Sequence, residues 1–425
     1  MAKPKLALIP ATQGSKLYSV LPADGVGDFN FSRNTAATRI NKDGLIETVA
    51  VGKSRLNYPL IDGVVNGCPS HLLEPSRSNL IIYSNLQSQA GWFPNAAWTV
   101  SDNSQISPQG ILNASSLTED LTNGFHSGYY TQIINNGYTG DYNISCFAKY
   151  NGRYLALSPK SATERTIFNL ENGSIYQLGG GGVTAKIENY GNGWYRCSVS
   201  CSFSNENVNF EHLLVNNNST QYQGDGVSGV YIYGCQAEQG SYATSYIPTS
   251  GSAVTRVADT ANGAGDASTF NDSEGVLMAE ISALADDSSF KSISVSDSSI
   301  SDRISLSLYQ NSVYAYIADG GQGKYDVNTT INVKENNKIA VKYKVNDFSF
   351  YLNGFEINSS VGINGGTTPS GLANLSFDKG NGSDDFYGNT KQIQYFDSAL
   401  NDSDLETLTS WTSFTDLANG QTYSI

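Results

Sequence analysis

Residues 338–357 read KIAVKYKVNDFSFYLNGFEI, and apolar side chains alternate with polar ones on both sides of Asn353-Gly354. A period of two is typical of a β-strand with one buried face, and Asn-Gly between two such runs favours a type I′ turn. The stretch therefore predicts β-hairpins with one core face. The side chains that we expect on the core faces are Phe348, Phe350 and Leu352 in one strand, and Tyr343 in the other, where it shares a face with Ile339, Val341 and Val345.

The same alternation continues outward along most of the 425 residues, in short runs separated by Asn-Gly, Asp-Gly and Gly-Gly pairs. This rhythm is typical of sandwiches and barrels. The exception is residues 401–411, where Asn401 or Ser403 can cap a short helix with Leu405 and Leu408 on one face. Charged residues make up 15% of the chain, against about 25% in average domains. The composition is that of an all-β protein with a surface of Ser, Thr, Asn and Gly.

Two changes in composition divide the chain. A basic segment punctuated by proline ends near residue 85, and a stretch of small residues at 248–252 precedes the acidic end. We therefore predict an N-terminal segment at 1–85, a middle domain at 86–250 and a C-terminal domain at 251–425. The basic and acidic side chains number 9 and 6, 6 and 11, and 10 and 22 in these three parts.

Several classes of protein are excluded by the same counts. The net charge is −14 and only the first segment is mildly basic, whereas nucleic-acid binding requires a surface rich in Lys and Arg. No apolar run approaches a membrane span, and the start of the chain is too short in apolar residues for a signal peptide. The five cysteines are sparse, and we expect them to be free thiols. Cys197 and Cys201 lie four residues apart in one predicted strand, which is too far for a disulfide between them.

Catalytic motifs are lacking in the sequence. The three histidines, His71, His126 and His212, have no metal-ligand or nucleophile spacing, and we expect each in a loop or at the surface. The run Gly179–Gly182 lacks the Lys-Ser/Thr of a phosphate loop. A pair of carboxylates distant in sequence remains open as a glycosidase arrangement, but no local motif supports it. The prediction is a protein that is not an enzyme.

Weak candidates for binding are found in two places. Asp384 and Asp385 lie in a turn-rich run and can offer oxygens to calcium, although the spacing of a calcium loop is absent and a plain solvated turn is the alternative. We therefore predict no cofactor, and calcium is the one ion for which the sequence offers candidate ligands. Tyr129 and Tyr231 lie in strand-like runs and can stack on sugar rings. Core packing is the alternative for these tyrosines, and we expect Trp194 to be core.

The N-terminal segment resembles a leader found in virion proteins of tailed bacteriophages and prophages. The resemblance is carried by FSRNTAATRINKDGLIE at 31–47, SRLNY at 54–58 and CPSHLLEPSRSNL at 68–80. The family pattern has an aliphatic residue where this chain has His71. The resemblance implies that residues 1–85 dock the protein on the particle, so that it is located in the virion after assembly in the bacterial cytoplasm.

The other two parts resemble lectin-like sandwiches. The middle domain is similar to carbohydrate-binding jelly rolls through GWYRCSVS at 193–200 and GCQAEQGSYATSYIPT at 234–249. The C-terminal part is similar to concanavalin-like, laminin-G-type sandwiches through FYLNG at 350–354 and YGNTKQIQYFDSALNDSDL at 387–405. These resemblances imply two consecutive β-sandwich domains after an extended N-terminal anchoring segment, and such generic folds fix no ligand.

The arginines of the N-terminal segment have two interpretations. Arg33, Arg39, Arg55 and Arg77 are concentrated there, and guanidinium groups suit bidentate pairing with carboxylates of a neighbouring subunit. In the alternative, they clamp the segment onto its own middle domain.

We therefore expect a phage structural protein of the tail-fibre, spike or decoration type, with sandwiches that project outward to attach to host-surface glycan. By analogy with phage fibres it is expected to be a homotrimer in contact with other virion proteins. One alternative is a decoration protein of the head or tail without a ligand. The other is a polysaccharide depolymerase, which is disfavoured because the chain lacks the repeats of a long β-helix.

Overall fold

The computed structural model describes residues 2–10, 12–13, 16–89, 91–94, 97–130, 138–208 and 210–410. Strands dominate these residues, and they are arranged in two sandwiches and several small sheets. The prediction of an all-β chain with two β-sandwich domains is confirmed.

The N-terminal segment forms short strands in its described residues. They are β1 (Leu6–Leu8), β2 (Thr12–Gln13), β3 (Lys16–Leu17), β4 (Phe29–Ser32), β5 (Ala37–Ile40), β6 (Ile46–Val49), β7 (Arg55–Asn57), β8 (Leu60–Ile61), β9 (Val64–Val65), β10 (Ser70–Leu73) and β11 (Arg77–Asn79). The pairs β5-β6 and β8-β9 are hairpins.

The middle domain contains the longest strands. They are β12 (Trp92–Pro94), β13 (Trp98–Ile106), β14 (Leu112–Glu119), β15 (Asn123–Phe125), β16 (Ser127–Tyr130), β17 (Tyr138–Asn151), β18 (Tyr154–Ser158), β19 (Thr166–Asn169), β20 (Ser174–Gln177), β21 (Thr184–Asn189), β22 (Trp194–Glu206), β23 (Phe210–Val215), β24 (Gln221–Gln223) and β25 (Gly229–Gln239).

Two six-stranded sheets form this sandwich. Their strand orders are β12-β16-β23-β18-β19-β20 and β13-β14-β25-β17-β22-β21. Aliphatic, aromatic and cysteine side chains from the two sheets, among them Leu155, Val199 and Ile232, fill the space between them. On its other face, the second sheet buries Phe147, Trp194 and Tyr233 beneath Ile40 and Ile46 of the β5-β6 hairpin. The prediction that Trp194 is core is confirmed.

The C-terminal part continues with strands and one helix. They are β26 (Val254–Arg256), β27 (Thr260–Asn262), β28 (Glu274–Ala283), β29 (Lys291–Ser296), β30 (Arg303–Tyr309), β31 (Ser312–Asp319), β32 (Gln322–Thr330), β33 (Asn337–Lys344), β34 (Phe348–Leu352), β35 (Phe355–Ser360), β36 (Asn374–Ser376), β37 (Gly388–Phe396) and α1 (Asp402–Thr409).

The larger sheet of the C-terminal sandwich includes strands of the N-terminal segment. Its order is β35-β34-β33-β28-β37-β10-β7, and β1 also pairs with β37. It faces the sheet β32-β31-β30-β29-β36 across a core that includes Leu6, Leu73, Ile293 and Tyr395. The segment also supplies β2, β3 and β4 to a small sheet with β27. Strands β1, β7 and β10 of the N-terminal segment are therefore built into the C-terminal sandwich, while its β5-β6 hairpin packs on the middle domain.

Residues 338–357 fold largely as predicted. Asn353 and Gly354 have φ angles of 49° and 91°, which is the left-handed geometry of a type I′ turn. Tyr343, Phe348 and Phe350 are fully buried. Val345 is 50% exposed, because it lies one residue beyond the end of β33 and its side chain no longer faces the opposite sheet.

The helix prediction is confirmed through residue 409, and Trp411 lies outside the described residues. The Asn401 side chain accepts the backbone N–H of Asp404, and Leu405 and Leu408 are buried. Within the described residues, no helix is long and apolar enough to cross a membrane.

The three histidines are all buried. The prediction of a loop or surface position is wrong for His71 and His212, which lie in β10 and β23, and holds for His126, which lies in the connection between β15 and β16. The His212 ring lies between Trp92 and Trp98, at centroid distances of 5.1 Å from each. Imidazole is flat and mostly carbon at its faces, so it fills an aromatic core when it is uncharged. The five cysteines are thiols and not disulfides, as expected, and Cys197 and Cys201 lie in one strand.

Candidate binding cleft

The outer face of the sheet β13-β14-β25-β17-β22-β21 changes from apolar to polar along its strands. On β22, Cys197 and Val199 point into the core between the sheets, so their sequence neighbours point outward. Residues directly opposite each other in antiparallel strands share a face. The register therefore aligns the outward side chains of β21, β22 and β17 in three rows, which are Thr184, Ser200 and Asn143; Lys186, Ser198 and Ser145; and Glu188, Arg196 and Phe147.

Most of these rows line the floor of a cleft with a volume of about 770 Å³. Its walls come from all three parts of the chain. The N-terminal segment contributes residues 38–40 and Asn57, the middle domain contributes Tyr190 and residues 241–246, and the C-terminal sandwich contributes residues 283–286 and Lys334. The cleft exists only when the three parts are assembled.

Hydrogen bonds within the floor fix its side chains. Asn143 Nδ2 donates to Ser200 Oγ at 2.7 Å, and Arg196 Nη2 donates to the carbonyl oxygen of Thr244 at 2.7 Å. Asn143 is buried, and its Oδ1 atom accepts no hydrogen bond from any residue that the structure describes. A buried acceptor without a partner is costly, so Asn143 is held in place by the sheet around it and by its hydrogen bond to Ser200.

The charges around the cleft are mixed in sign. Lys186 pairs with Glu188 at 2.7 Å, and Arg39 pairs with Glu47 at 2.9 Å. Burial opposes the charge of Arg196, but Tyr190 and the nearby glutamates outweigh it and raise its pKa. Burial also raises the pKa of Tyr190 to about 12. At neutral pH the floor therefore contains a guanidinium, an amide and several hydroxyls, and the Tyr190 phenol lies in the wall.

A buried ion cluster underlies the cleft, and we call it the clasp. It contains Arg33, Arg55, Glu74, Arg256 and Asp259, whose side chains are all almost completely buried. Arg55 pairs with Glu74 at 2.5 Å and also with Asp259. Arg33 pairs with Asp259 at 3.0 Å, and Arg256 with Glu74 at 2.9 Å. The clasp joins the N-terminal segment to the start of the C-terminal part.

The clasp reaches the cleft through Glu74 and Ser245, which both line it. Ser245 Oγ donates to Glu74 Oε2 at 2.6 Å and its backbone N–H donates to Oε1 at 2.7 Å. Burial opposes the ionisation of Glu74, but Arg256 and Arg55 outweigh it and lower its pKa to about 2. The Glu74 carboxylate is therefore charged, and both of its oxygens are bound by residues of this chain.

The four arginines that were predicted to anchor the N-terminal segment have different positions in the structure. Arg33 and Arg55 lie in the clasp, so the interpretation of these two as contacts to a neighbouring subunit does not hold. They clamp the N-terminal segment, mainly to Asp259 beyond the middle domain. Arg39 is 24% exposed in its own hairpin, and the guanidinium of half-buried Arg77 lies 5.7 Å from the ring centroid of Tyr242. For Arg39 and Arg77, a role in anchoring stays a prediction.

Of the two predicted tyrosines, Tyr231 does not line the described cleft. The backbone of Tyr129 lies in β16, and its side chain is outside the described part of the structure. Tyr231 is half-buried and packs against the apolar cluster that contains Phe147 and Tyr233. Glycan binding by either residue stays a prediction.

The predicted calcium ligands have partners within the chain. Asp384 pairs with Lys379 at 3.0 Å, and Tyr387 donates a hydrogen bond to Asp385 at 3.0 Å. Burial, with smaller contributions from Asp378 and Asp384, raises the pKa of Asp385. Among the described residues, no group of three or more His, Cys, Asp or Glu side chains is placed to hold a metal ion.

Sequence reasoning missed the floor residues Asn143, Ser198 and Ser200. One signal was present, because β22 alternates serine with Cys and Val and so predicts a polar outer face. The cleft itself has no local signal, since its walls come from three separate parts of the chain, at residues 38–57, 190–246 and 283–334.

No protein-family model matches the chain, and no curated protein matches it in sequence. Among solved structures, it is similar to the CBM40 module of the Ruminococcus gnavus IT-sialidase, with 17% identity, a TM-score of 0.30 and coverage of 35% of this chain and 88% of that chain. It is also similar to a leech intramolecular trans-sialidase, with 15% identity, a TM-score of 0.29 and coverage of 34% and 24%.

A SAP-like pentraxin from Limulus polyphemus is a third similar structure, with 11% identity, a TM-score of 0.27 and coverage of 33% of this chain and 71% of that chain. At such scores the function has to be inferred from this chain's own residues.

Proposed function

We propose that the protein is a tailed-bacteriophage virion component that binds host-surface glycan in the cleft between its three parts. The observation that carries the binding role is the alignment of polar side chains in rows across β21, β22 and β17. A glycan presents hydroxyl groups that both donate and accept hydrogen bonds. A floor that offers hydroxyls, an amide and a guanidinium is suited to such a ligand, and the rings of Tyr190 and Tyr242 in the walls can pack against its C–H faces.

The N-terminal segment supports the virion part of the proposal. Its sequence resembles phage leaders, and its residues form one wall of the cleft. The β8-β9 hairpin of this segment leaves Ile61 and Val64 exposed, at 52% and 67%. Exposed aliphatic side chains favour contact with another protein, so this hairpin is the part of the segment that we expect to dock on the particle. The homotrimer is proposed by analogy with phage fibres.

The acidic groups of the cleft favour binding without hydrolysis. A glycosidase acid needs a carboxyl group with a raised pKa. The pKa of Glu74 is lowered, Glu188 is paired with Lys186, and Asp286 accepts the backbone N–H of Asn311. All three carboxylates that line the described cleft are held by other contacts.

The proposal is tested by binding of the labelled full-length chain to intact host cells, with and without periodate oxidation of surface glycans. The test variant is Ser198→Tyr, which fills the cleft from its floor. The matched control is Ser204→Tyr, which changes an exposed residue on the same face of the same strand. Thermal melting of both variants checks that they fold.

We expect binding that is sensitive to periodate, reduced at least tenfold by Ser198→Tyr and unchanged by Ser204→Tyr. Binding that survives periodate, or that Ser198→Tyr leaves intact, contradicts the glycan site. No binding by the wild type favours a decoration protein without a ligand. Absence of the chain from purified phage particles, tested with an antibody, contradicts the virion assignment.

A further inference from the structure

A second pocket, with a volume of about 460 Å³, lies between the N-terminal segment and the strands β17 and β25 of the middle domain. This volume is within the range of about 300–1,000 Å³ that is typical of pockets for small ligands. The pocket shares no lining residue with the cleft. It is lined by Ser76, Arg77, Ser78 and Leu80 from the N-terminal segment, by Tyr138, Asp141 and Tyr142 from β17, and by Gln239 and Gly240 at the end of β25.

Arg77 is the cation of this pocket. Arg33, Arg55 and Arg256 pair with the carboxylates of the clasp, whereas Arg77 pairs with no carboxylate that the structure describes. Its Nη1 atom donates to the carbonyl oxygen of Ser76 at 3.1 Å, and within the described part of the chain the guanidinium makes no other hydrogen bond. The protein has a net charge of −14, so a guanidinium without a counter-ion is a distinct feature of it. Such a group is suited to the carboxylate of another molecule.

The Arg77 guanidinium is held in place by Gly240 and Tyr242. A Cβ atom on Gly240 would lie 2.7 Å from Nη2 and 2.9 Å from Nε, so the guanidinium packs where only glycine leaves room for it. The ring centroid of Tyr242 lies 5.7 Å away. The Nε atom is buried without a hydrogen bond, whereas Nη2, which also lacks one, is not enclosed. Nη2 and the second hydrogen of Nη1 are therefore the donors that a ligand can reach.

The strands β17 and β25 supply acceptors and an aromatic surface to the pocket. Asp141 and Gln239 are exposed. Asp141 Oδ1 accepts a hydrogen bond from Ser202 Oγ at 2.5 Å, and Oδ2 accepts none from the residues that the structure describes. The ring of half-buried Tyr138 meets that of Tyr142 edge-on, with centroids 4.3 Å apart. The pocket thus combines one guanidinium, one carboxylate, an amide and a phenol ring.

We propose that this pocket binds an acidic sugar of the uronic acid class, with the sugar carboxylate on Arg77 and the sugar hydroxyls on Asp141 and Gln239. Hydrogen bonds between a guanidinium and a carboxylate are among the strongest in proteins, because both partners are charged. The Asp141 carboxylate accepts hydrogen bonds from hydroxyl groups, and the Gln239 amide both donates and accepts them. The ring of Tyr138 can pack against the C–H face of the sugar.

Two other classes of ligand fit these charges less well. A neutral sugar leaves the Arg77 guanidinium without a counter-ion. A small dicarboxylic acid brings a second negative charge into the pocket, where the Asp141 carboxylate repels it. The proposal goes beyond the glycan site in the cleft and does not depend on it, because the two sites have no lining residue in common.

The test measures binding of the full-length chain to immobilised hexasaccharides of galacturonic acid, of guluronic acid and of hyaluronan, each beside its methyl ester, which keeps the sugar chain and removes the charge. The test variants are Arg77→Gln, which removes the cation, and Gln239→Glu, which adds a negative charge at an exposed position. The matched controls are Arg165→Gln and Gln177→Glu, which make the same changes outside both sites. Ser198→Tyr fills the cleft alone and so separates this site from the proposed function. Thermal melting checks that each variant folds.

We expect at least one acidic hexasaccharide to bind about tenfold more tightly than its ester. Arg77→Gln and Gln239→Glu should each weaken this binding about tenfold, while the two controls and Ser198→Tyr retain it. If Arg77→Gln does not fold, Gln239→Glu alone decides the result. The proposal is overturned if no acidic hexasaccharide binds, if the esters bind equally well, or if the pocket variants that fold retain binding. It is also overturned if Ser198→Tyr abolishes binding, because the acidic sugar then lies in the cleft.

Discussion

Arg55 donates to Glu74 Oε2 at 2.5 Å, inside the protein and 19 residues away along the N-terminal segment. The same guanidinium pairs with Asp259, and Glu74 in turn holds Ser245. One pair of residues therefore links the N-terminal segment to the end of the middle domain and the start of the C-terminal part. The cleft depends on this link, because Glu74 and Ser245 line it.

The clasp should be essential for stability. Arg55→Met leaves Glu74 and Asp259 buried with fewer partners, and removal of one partner of a buried ion pair costs about 3–5 kcal/mol. Arg39→Met removes a partly exposed pair with Glu47, and such pairs contribute only about 0–1 kcal/mol. Urea unfolding of the two variants measures the difference. Equal losses would show that the clasp contributes no more than a surface pair.

The protein should lose stability in acid. Burial lowers the pKa values of His71 and His212 to about 3, whereas the unfolded chain titrates near 6.5. Between these values the unfolded chain binds more protons, so the free energy of unfolding falls as the pH falls below about 6.5. Glu74, with its pKa lowered to about 2, adds a further loss below about pH 4.5.

Unfolding in urea at a series of pH values from 7 to 4 measures this dependence. We expect a loss on the order of a few kcal/mol across the range. His212→Phe keeps an aromatic ring between Trp92 and Trp98 and removes one titrating group, so its stability should depend less on pH. A flat profile for the wild type would contradict the burial of uncharged histidines.

The turn at Gly354 gives a sharper test of local geometry. Its φ of 91° is unfavourable for any residue with a Cβ, so Gly354→Ala should destabilise the protein by about 1 kcal/mol. The control is Gly124→Ala, since a Cβ on Gly124 meets no atom within 4 Å and its φ is not positive. The midpoints of urea unfolding compare the two. Equal midpoints would contradict the type I′ turn.

The sequence was sufficient for the local features of the fold. The hairpin around Asn353-Gly354, the cap at Asn401 and the burial of Trp194 each depend on a few neighbouring residues, and the structure confirms all three. Period-two alternation is a property of one strand and its two faces. It predicts which side chains are buried without any knowledge of which strands pair.

The place of the N-terminal segment could not be predicted in this way. Strands β1 and β10 contain three and four residues, and they form because β37, more than 300 residues later, offers an edge for pairing. Strand β7 then pairs with β10. The same non-local pairing buries His71 opposite Thr390. A histidine without a catalytic spacing looks like a surface residue until its partner strand is known.

The cleft depends on the same kind of long-range assembly. Its floor is a regular feature of β22 and β17, but its walls come from the N-terminal segment and the C-terminal sandwich. The tyrosines chosen from the sequence were judged by residue type alone. In the structure, neighbouring chain segments decide which polar side chains remain open to a ligand.

Substitution of Asn143 should lower the affinity for host cells with little effect on the free energy of unfolding. In the folded protein its Oδ1 has no partner among the described residues and its amide donates only to Ser200. Asn143→Ala therefore removes one hydrogen bond, of about 1 kcal/mol, together with a buried acceptor that has no partner. We expect the free energy of unfolding to change by less than about 1 kcal/mol. The affinity for host cells should fall about tenfold, or about 1.4 kcal/mol, because Ser200 loses the hydrogen bond that orients its hydroxyl in the floor of the cleft. Ser204→Ala, outside the cleft, is the control and should change neither quantity. A loss of stability without a loss of binding would show that Asn143 supports the sheet and does not orient the floor of the cleft for a ligand.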